Sequence, residues 1–484
     1  MGVAAAALCI YVATLAPGLT FEHYGTDGGD LIAAARTLGI PHPTGYPLYT
    51  LVAWLFSQLP VGTIAYRVNL LSAACAAGAV GLLCRSVQIL LADEEHVLLL
   101  SAAAALTLAF SPLLWSQAVI SEVYAMLTLL AALVLWLLVR WRAAGSDGLL
   151  WIAALVLGLG IGNHLTLLVA APAALILLWE RGRSGLPRWF RARTVLPAIA
   201  LFLVGAGIYV YLPLAARSRP AVNWGNPQTL DGFLWVVTAR QYQTFAFGLD
   251  PADILNRLGF WASLLGKQFG WWGLALALAG AWWWCKRDRR LLLFTLAWMV
   301  LVGVYAFFYD TYDSHIYMLP TLLLLALGWV AGARWVLHLR QPRGIVWQRL
   351  FLAGILALPL LSLALNWREA DLSQEGQAHA YMHQALEAVA PDGLVIVRGD
   401  GPTFALWYGV YAEQRRPDVA IVSGPMLAFI WYRDHVRHLY PDLVVNRPAA
   451  GEVTWHDLVR DLIEENKGHR PVYACLLYTS DAAD

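Results

Sequence analysis

The sequence predicts a mostly α, polytopic membrane protein with about eleven transmembrane helices and a truncated extracytoplasmic α/β domain at its C-terminal end. The first observation is composition: of 484 residues, 59% are hydrophobic and only 13% charged. A soluble domain carries ~25% charged residues, so much of the usual charge is missing. The second is a series of apolar runs near the ~20 residues needed to cross ~30 Å of hydrocarbon. The third is a return to soluble composition from about Asn366. A water-soluble enzyme, a disordered chain and a collagen-like chain are excluded.

The apolar runs cover residues 3–19, 68–91, 97–114, 123–139, 195–214, 269–285, 291–308, 316–337 and 350–365. A further run, 149–179, is too long for one span and is interrupted by Gly158-Leu159-Gly160-Ile161-Gly162-Asn163-His164. Charge decides how it crosses. Basic clusters occur at Arg140 and Arg142, at Arg181, Arg183, Arg188, Arg191 and Arg193, at Lys286, Arg287, Arg289 and Arg290, and at Arg340, Arg343 and Arg349. Short loops rich in Lys and Arg stay cytoplasmic. All four clusters share one side only if 149–179 crosses twice, as two short helices. The N-terminus is then cytoplasmic, and the outer segments are 20–62, 115–122, 162–164, 215–268, 309–315 and everything after Trp367. Within the first of these, residues 46–59 are too few to span and read as a helix lying in the interface.

Residues 1–366 therefore form the transmembrane domain and 367–474 the soluble one. In the latter, helical stretches at 374–389, 403–413 and 427–439 alternate with short apolar strands at 394–397 and 419–422. That order argues an α/β unit with a parallel sheet. Arg470-Pro471-Val472-Tyr473 reads as the start of another buried strand. Residues 475–484, CLLYTSDAAD, resemble one translated frame of a transposon-end sequencing adaptor and are set apart from the fold. The cysteines Cys9, Cys75, Cys84, Cys285 and Cys475 are too scattered for a disulfide framework or a cysteine-based zinc site.

The unusual polar residues fall on the outer side. Asp27-Gly28-Gly29-Asp30 and Pro41-His42-Pro43-Thr44-Gly45-Tyr46-Pro47 lie in the first outer loop. Glu122 and Tyr124, Asn163 and His164, Asn223-Trp224-Gly225-Asn226-Pro227, Arg240-Gln241-Tyr242, and Asp310, Asp313 and His315 follow. Transporters place their polar sites near the midplane, on broken helices. A site on one face favours chemistry at the outer interface over passage through the membrane. Each residue has a plainer reading. Asp30 either caps the helix read at 31–38 or takes part in catalysis, and the two are compatible. The proline-flanked His42 sits in what could be a rigid turn. His164 reads first as a satisfied buried histidine, Glu122 as a cap of the following span, and the Trp224 segment as loop packing on lipid. Asp400, after the strand at 394–397, reads as a turn residue, although ligands of α/β domains bind at such places.

At these residues the chain resembles a known family. Residues 26–33 (TDGGDLIA) and 38–49 (LGIPHPTGYPLY) resemble the signature of the bacterial protein O-mannosyltransferase-like family, formerly a domain of unknown function. The resemblance extends through Arg67-Val68-Asn69-Leu70, Glu122-Val123-Tyr124-Ala125, Gly162-Asn163-His164, Asn223-Trp224-Gly225-Asn226-Pro227 and Asp313-Ser314-His315-Ile316-Tyr317. Where the family usually has Glu, this chain has Asp30, one methylene shorter.

The resemblance implies a GT-C type membrane glycosyltransferase that uses a polyprenyl-phosphate sugar, carries an acidic residue in its first outer loop and acts outside the cytoplasm. A phosphate leaving group is stable as an anion, so one base acting on the acceptor hydroxyl can suffice. Asp27 and Asp30 are the catalytic candidates. His42, Tyr46, Glu122, Tyr124, Asn163, His164, Asn223, Trp224, Arg240, Tyr242, Asp313 and His315 are candidates for binding substrate. Arg217, Arg219, Arg240 and Lys267 are the cations expected to meet the phosphate. The expected reaction is inverting transfer of a sugar, with mannose a candidate, to a Ser/Thr hydroxyl or a glycan. No cofactor is named by the sequence, and metal dependence is left open. The partners implied are membrane lipid, a lipid-linked sugar donor and a protein or glycan acceptor, without nucleic acid, and the location implied is a bacterial inner membrane. The alternatives are a ligase for another lipid-linked glycan, or a transporter or flippase of lipid-linked sugars.

Overall fold

A computed structural model describes residues 1–179, 191–339, 345–446 and 453–476. Arg181, Arg183, Arg188, Arg340, Arg343 and the adaptor-like residues from 477 onward lie outside these. The chain opens with α1 (Gly2–Ala13), a 3₁₀ turn (Glu22–Asp27), α2 (Gly28–Thr37) and α3 (Pro47–Ser57). Pro47 suits the first turn of α3, where its missing N–H is not needed. The interfacial segment expected at 46–59 corresponds to α3. Thr63 caps α4 (Ile64–Leu90) by accepting a hydrogen bond from the Tyr66 amide at 3.0 Å.

Next come α5 (Val97–Ala109) and α6 (Pro112–Ala118), bent by 66° at Phe110-Ser111. They are followed by α7 (Tyr124–Ala144), α8 (Asp147–Ile161), α9 (Thr166–Leu178), α10 (Ala192–Ala206), α11 (Tyr211–Arg217) and α12 (Leu230–Val237). Then α13 (Ile254–Arg287) is broken at Gly270, whose φ is +66°. The membrane part closes with α14 (Arg289–Phe308), α15 (Leu319–Leu337) and α16 (Ile345–Ala370). The long apolar run at 149–179 does divide at the glycine-rich break, into α8 and α9.

Among the described residues six helices are long and apolar enough to cross a membrane, or seven if α5 and α6 count as one bent span. That is fewer than about eleven. The expected run at 3–19 stops being helical after Ala13, and α8 and α9 are each shorter than a full crossing. Close helix contacts explain the glycines within the bundle. A Cβ at Gly280 of α13 would collide with the Gly328 carbonyl of α15, and one at Gly158 of α8 with the Phe202 carbonyl of α10. Small residues let backbones approach where lipid supplies no hydrophobic drive. Helix α15 lies at the centre, whereas α10 and α16 expose Leu196, Leu203, Val204, Leu350, Leu360 and Leu365.

The C-terminal part contains α17 (Gln377–Glu387), β1 (Leu394–Arg398), α18 (Asp400–Trp407), β2 (Ala420–Ser423), α19 (Ile430–Leu439), α20 (Trp455–Asn466) and β3 (Val472–Leu476). The sheet is parallel in the order β2-β1-β3, with Leu394 opposite both Ala420 and Val472. The helix expected at 403–413 starts three residues earlier and ends in a π turn at Tyr408–Ala412. Helix α20 was not expected. It is announced by Thr454 and Asp457, which form a reciprocal capping box.

Candidate active site

The site is built around the start of α2. Asp27 ends the 3₁₀ turn, with 38% of its side chain exposed, and Asp30 lies one turn further on with its side chain fully buried. A buried carboxylate needs donors, and Asp30 has three. The His42 backbone amide donates to its Oδ2 at 2.9 Å, His42 Nδ1 lies 2.8 Å from the same oxygen, and Trp224 Nε1 donates to Oδ1 at 3.0 Å. Asp30 therefore does not cap α2: Asp27 occupies the cap position, and neither side chain bonds the helix amides. The other ring nitrogen of His42, Nε2, faces Asp27 Oδ2 at 3.5 Å. One imidazole thus joins the two carboxylates.

Backbone pairing fixes that arrangement. The Ile40 amide donates to the Val222 carbonyl at 2.8 Å and the Trp224 amide to the Ile40 carbonyl at 3.1 Å. These bonds hold the Asn223-Trp224 segment beside the His42 loop. Trp224 is buried against Phe404, Trp407 and Trp431 rather than lying on lipid. Of the two glycines in the Asp27–Asp30 motif, Gly28 packs on Ser121 and Leu19 of the membrane part, and Gly29 serves contact with the C-terminal domain. A Cβ at Gly29 would run into the Phe404 carbonyl of α18.

Five carboxylates share the site's electrostatic field. Burial, the largest influence, pushes the Asp27 carboxyl up to about 7. His42 opposes this, while Asp400, Asp313 and Asp30 add to it. Burial pulls His42 down, but Asp27 and then Asp30 outweigh it and hold the imidazolium up to about 9. Glu122 lies well above the usual carboxylate range, through burial first and then the charges of Asp27 and Asp313.

Beyond His42 runs an aromatic wall. Tyr46 meets His42 edge-on at 5.0 Å and stacks on His164 at 6.2 Å. His164 in turn contacts Tyr124 at 5.7 Å and Tyr317 at 5.3 Å. Burial, followed by the charge of His42, lowers His164 to about 4, so the ring is neutral. Its Nδ1 pairs with Thr166 Oγ1 at 2.8 Å. Asn163 donates to the Val123 carbonyl at 3.1 Å, and the Val123 amide donates weakly to Glu122 Oε2 at 3.3 Å. Three buried oxygens, Glu122 Oε1, Asn163 Oδ1 and Asn223 Oδ1, have no hydrogen-bond partner. Asn223 also donates to Asn226 Oδ1. Burial holds the Tyr242 hydroxyl well above its ordinary range, and the charges of Asp27 and Asp400 add to it.

The expected cations do not converge on the carboxylates. Arg240 is paired with Asp231 at 3.0 Å, with side chains 46% and 78% exposed. Arg219 points at His438 at 3.4 Å, and Arg217 and Lys267 are exposed. His315 packs between Tyr24 and Phe260. Four residues join the site that the sequence did not single out for it. Asp400, read as a turn residue, opens α18 and lies within electrostatic reach of Asp27 and His42. Its own carboxyl is raised, chiefly by burial. Its position after β1 was the available signal. Tyr309 and Tyr317 extend the aromatic wall at 5.4 Å from each other. Arg257 braces the Asp313 loop, donating to the Tyr309 carbonyl at 2.8 Å and to Asp310.

Residues 27–185 match the family described as Protein O-mannosyl-transferase TMEM260 N-terminal domain, and residues 378–442 match TMEM260-associated domain 2. Over these two stretches the chain is similar to the protein O-mannosyl-transferase TMEM260 family. It is 29% identical over 453 residues to the Mus musculus protein O-mannosyl-transferase TMEM260, covering 86% of this chain and 62% of that protein. The Dictyostelium discoideum protein of the same name is 24% identical over 528 residues, covering 96% and 62%. The chain thus spans less than two thirds of the length of these relatives. Its fold is also that of ArnT from Cupriavidus metallidurans, in a crystal structure with bound undecaprenyl phosphate. The TM-score is 0.59 and the identity 14%, over 94% of this chain and 96% of that one.

The family motif at Arg67 and Asn69 is architectural. Arg67 donates to the carbonyls of Ser57, Val61 and Gly62, and Asn69 to those of Ala16 and Gly18.

Proposed function

We propose that this chain is a membrane glycosyltransferase that moves a sugar, mannose foremost, from a polyprenyl phosphate to a Ser/Thr hydroxyl or a glycan at the extracytoplasmic face. The observation that carries this reading is the contrast between two carboxylates. Asp30 is sealed in by three donors, whereas Asp27 is reachable and has a carboxyl raised to about 7. A general base works best when its pKa lies near the working pH.

Asp27 accepts the proton of the acceptor hydroxyl as that oxygen forms its bond to the anomeric carbon. The bond from that carbon to the phosphate oxygen breaks on the opposite side, so configuration inverts and polyprenyl phosphate leaves with the electron pair. Asp30 takes no proton in this scheme. It orients His42, whose imidazolium holds Asp27 in place. Glu122 Oε1, Asn163 Oδ1 and Asn223 Oδ1 supply buried acceptors for sugar hydroxyls, and the Tyr46–His164–Tyr317 wall supplies ring faces for the sugar's apolar side. Holding donor and acceptor together contributes much of the remaining rate.

The test is transfer by purified protein in detergent, from polyprenyl-phosphate mannose to a Ser/Thr-containing peptide. Product formed without any gradient supports the enzyme. Absence of transfer in detergent, together with lipid-sugar translocation in vesicles, would establish the flippase instead.

A further inference from the structure

A second group of chemically capable side chains lies at the other end of α18 from Asp400. His379 and His383 are one turn apart on α17 and aim their Nε2 atoms at each other, 3.1 Å apart. Glu413 follows the π turn and brings its carboxylate toward them. One ligand atom from each of the three residues lies within 4.8 Å of the other two. Among the described residues no other group of three or more such side chains meets that condition.

We propose that His379, His383 and Glu413 form a binding site for one divalent transition-metal ion of the zinc type. Two imidazoles and a carboxylate suit a borderline ion better than Mg²⁺ or Ca²⁺, which prefer all-oxygen ligands. With Zn–N bonds of about 2.0–2.1 Å, tetrahedral ligands sit ~3.3 Å apart. The two ring nitrogens are therefore already close to the spacing that one shared ion requires. Two histidines and a glutamate leave a fourth position for water.

The surroundings resemble a built site. Glu413 is oriented from behind, since Tyr408 Oη donates to its Oε1 at 2.6 Å and Arg415 Nε to its Oε2 at 2.6 Å. Outer partners of this kind fix ligand direction and tune affinity. Arg415 brings a like charge toward the ion, but its side chain is 49% exposed and water screens it. His379 Nδ1 is buried against Gly18 without a hydrogen-bond partner, so the ring directs its polar contact through Nε2 toward His383.

The location suggests the ion's use. The His379 ring packs on Gly18 of the membrane part, and Tyr408 Oη accepts the Ala65 amide of α4 at 3.3 Å. An ion here ties α17 to the end of the α18 segment at the seam between the two parts of the chain. It would stiffen the helix that delivers Asp400.

The experiment uses the full chain in detergent, stripped with EDTA, incubated with Zn²⁺ and desalted before elemental analysis. One zinc per chain is expected to be retained. The His379→Gln/His383→Gln variant should bind Zn²⁺ at least tenfold more weakly, whereas Asp27→Asn should retain it. Chelation should lower the melting temperature of the wild type but leave that of the double variant unchanged. Should the double variant not fold, Co²⁺ loaded into the wild type decides the matter. Intense visible bands of a four-coordinate ion, altered by Glu413→Gln, support the site. Only the weak bands of a six-coordinate ion would overturn it. So would a wild type that retains no zinc, or a folded double variant that binds it equally well.

Discussion

Asp27 and Asp30 differ by one helical turn in sequence and by their whole environment in space, and this gives opposite expectations for the same substitution. Asp27→Asn keeps the shape and removes the proton acceptor, so transfer should fall by about 10²–10⁴-fold, the usual worth of a general base. Its melting temperature should match the wild type. Asp30→Asn replaces an oxygen that accepts from buried donors by an amide that is itself a donor. Either the His42 or the Trp224 N–H is then left unpaired, at ~1–3 kcal/mol, which thermal unfolding would register as a lower melting temperature. If Asp30→Asn unfolds like the wild type and alone abolishes transfer, the assigned roles are exchanged. The pH profile carries the sign of the Asp27 shift. A carboxyl raised to about 7 is a base only above that value, so kcat/KM should rise through pH ~7 and level off, while His42 stays charged to about 9. Asp400→Asn removes a neighbouring like charge and should move the rise to lower pH. A profile flat from pH 5 to 8 would remove Asp27 as the base. Arg240 remains the outer-loop cation nearest in sequence to Tyr242. Its exposed pair with Asp231 is worth ~0–1 kcal/mol, little enough to be exchanged for a lipid phosphate. Arg240→Ala should then weaken use of the donor roughly tenfold to hundredfold, through loss of a charge-assisted bond of ~1.5–3 kcal/mol. Unchanged donor kinetics would pass that role to Arg217, Arg219 or Lys267.

At the scale of elements, the motif between Asp27 and Asp30 shows what a sequence can reveal and what it withholds. The pair of glycines signals a close backbone approach, but nothing local says to what. The partner, the Phe404 carbonyl of α18, is nearly four hundred residues away and on another domain. The same distance hid Asp400, whose place after β1 was legible while its neighbours were not. Trp224 was ambiguous for a related reason: a tryptophan in an outer loop suits the lipid interface, and only the pairing of Ile40 with Asn223 turns it toward Asp30. Helices, by contrast, were readable from apolar runs and breakers, down to the division of 149–179 at its glycines. Gly29→Ala tests the contact directly. The added methyl must push α18 away from α2, an overpacking cost of ~1–3 kcal/mol. Limited proteolysis should cut the segment between α16 and α17 faster, and transfer should drop even though no catalytic atom is altered. Wild-type protease resistance would show that the contact is not needed to seat the domain.

For the whole molecule, orientation is the premise on which the placement of the site depends. The segments bearing Asp27, His42, Glu122, His164 and Trp224 were all assigned outward by the basic clusters alone, and in the folded chain they meet at one end of the bundle. Loops assigned inward also meet one another: Arg142 pairs with Asp288 at 2.6 Å, and Arg334 with Glu94 at 3.1 Å. A wrong crossing parity at 149–179 would have sent His164 or the Lys286–Arg290 cluster to the opposite end. Contacts of this kind say which loops lie near one another; which side they face is a matter for labelling. In intact cells, a cysteine placed at Ser218, exposed after α11, should react with a membrane-impermeant maleimide. One at Ser146, exposed between α7 and α8, should react only after permeabilisation. Cys9 is exposed and shared by both variants, so a variant with Cys9 replaced by Ser provides the background. The reverse pattern would place the Asp27 site in the cytoplasm, where a nucleotide-linked donor would be as accessible as a lipid-linked one, and the proposed donor would lose its topological support.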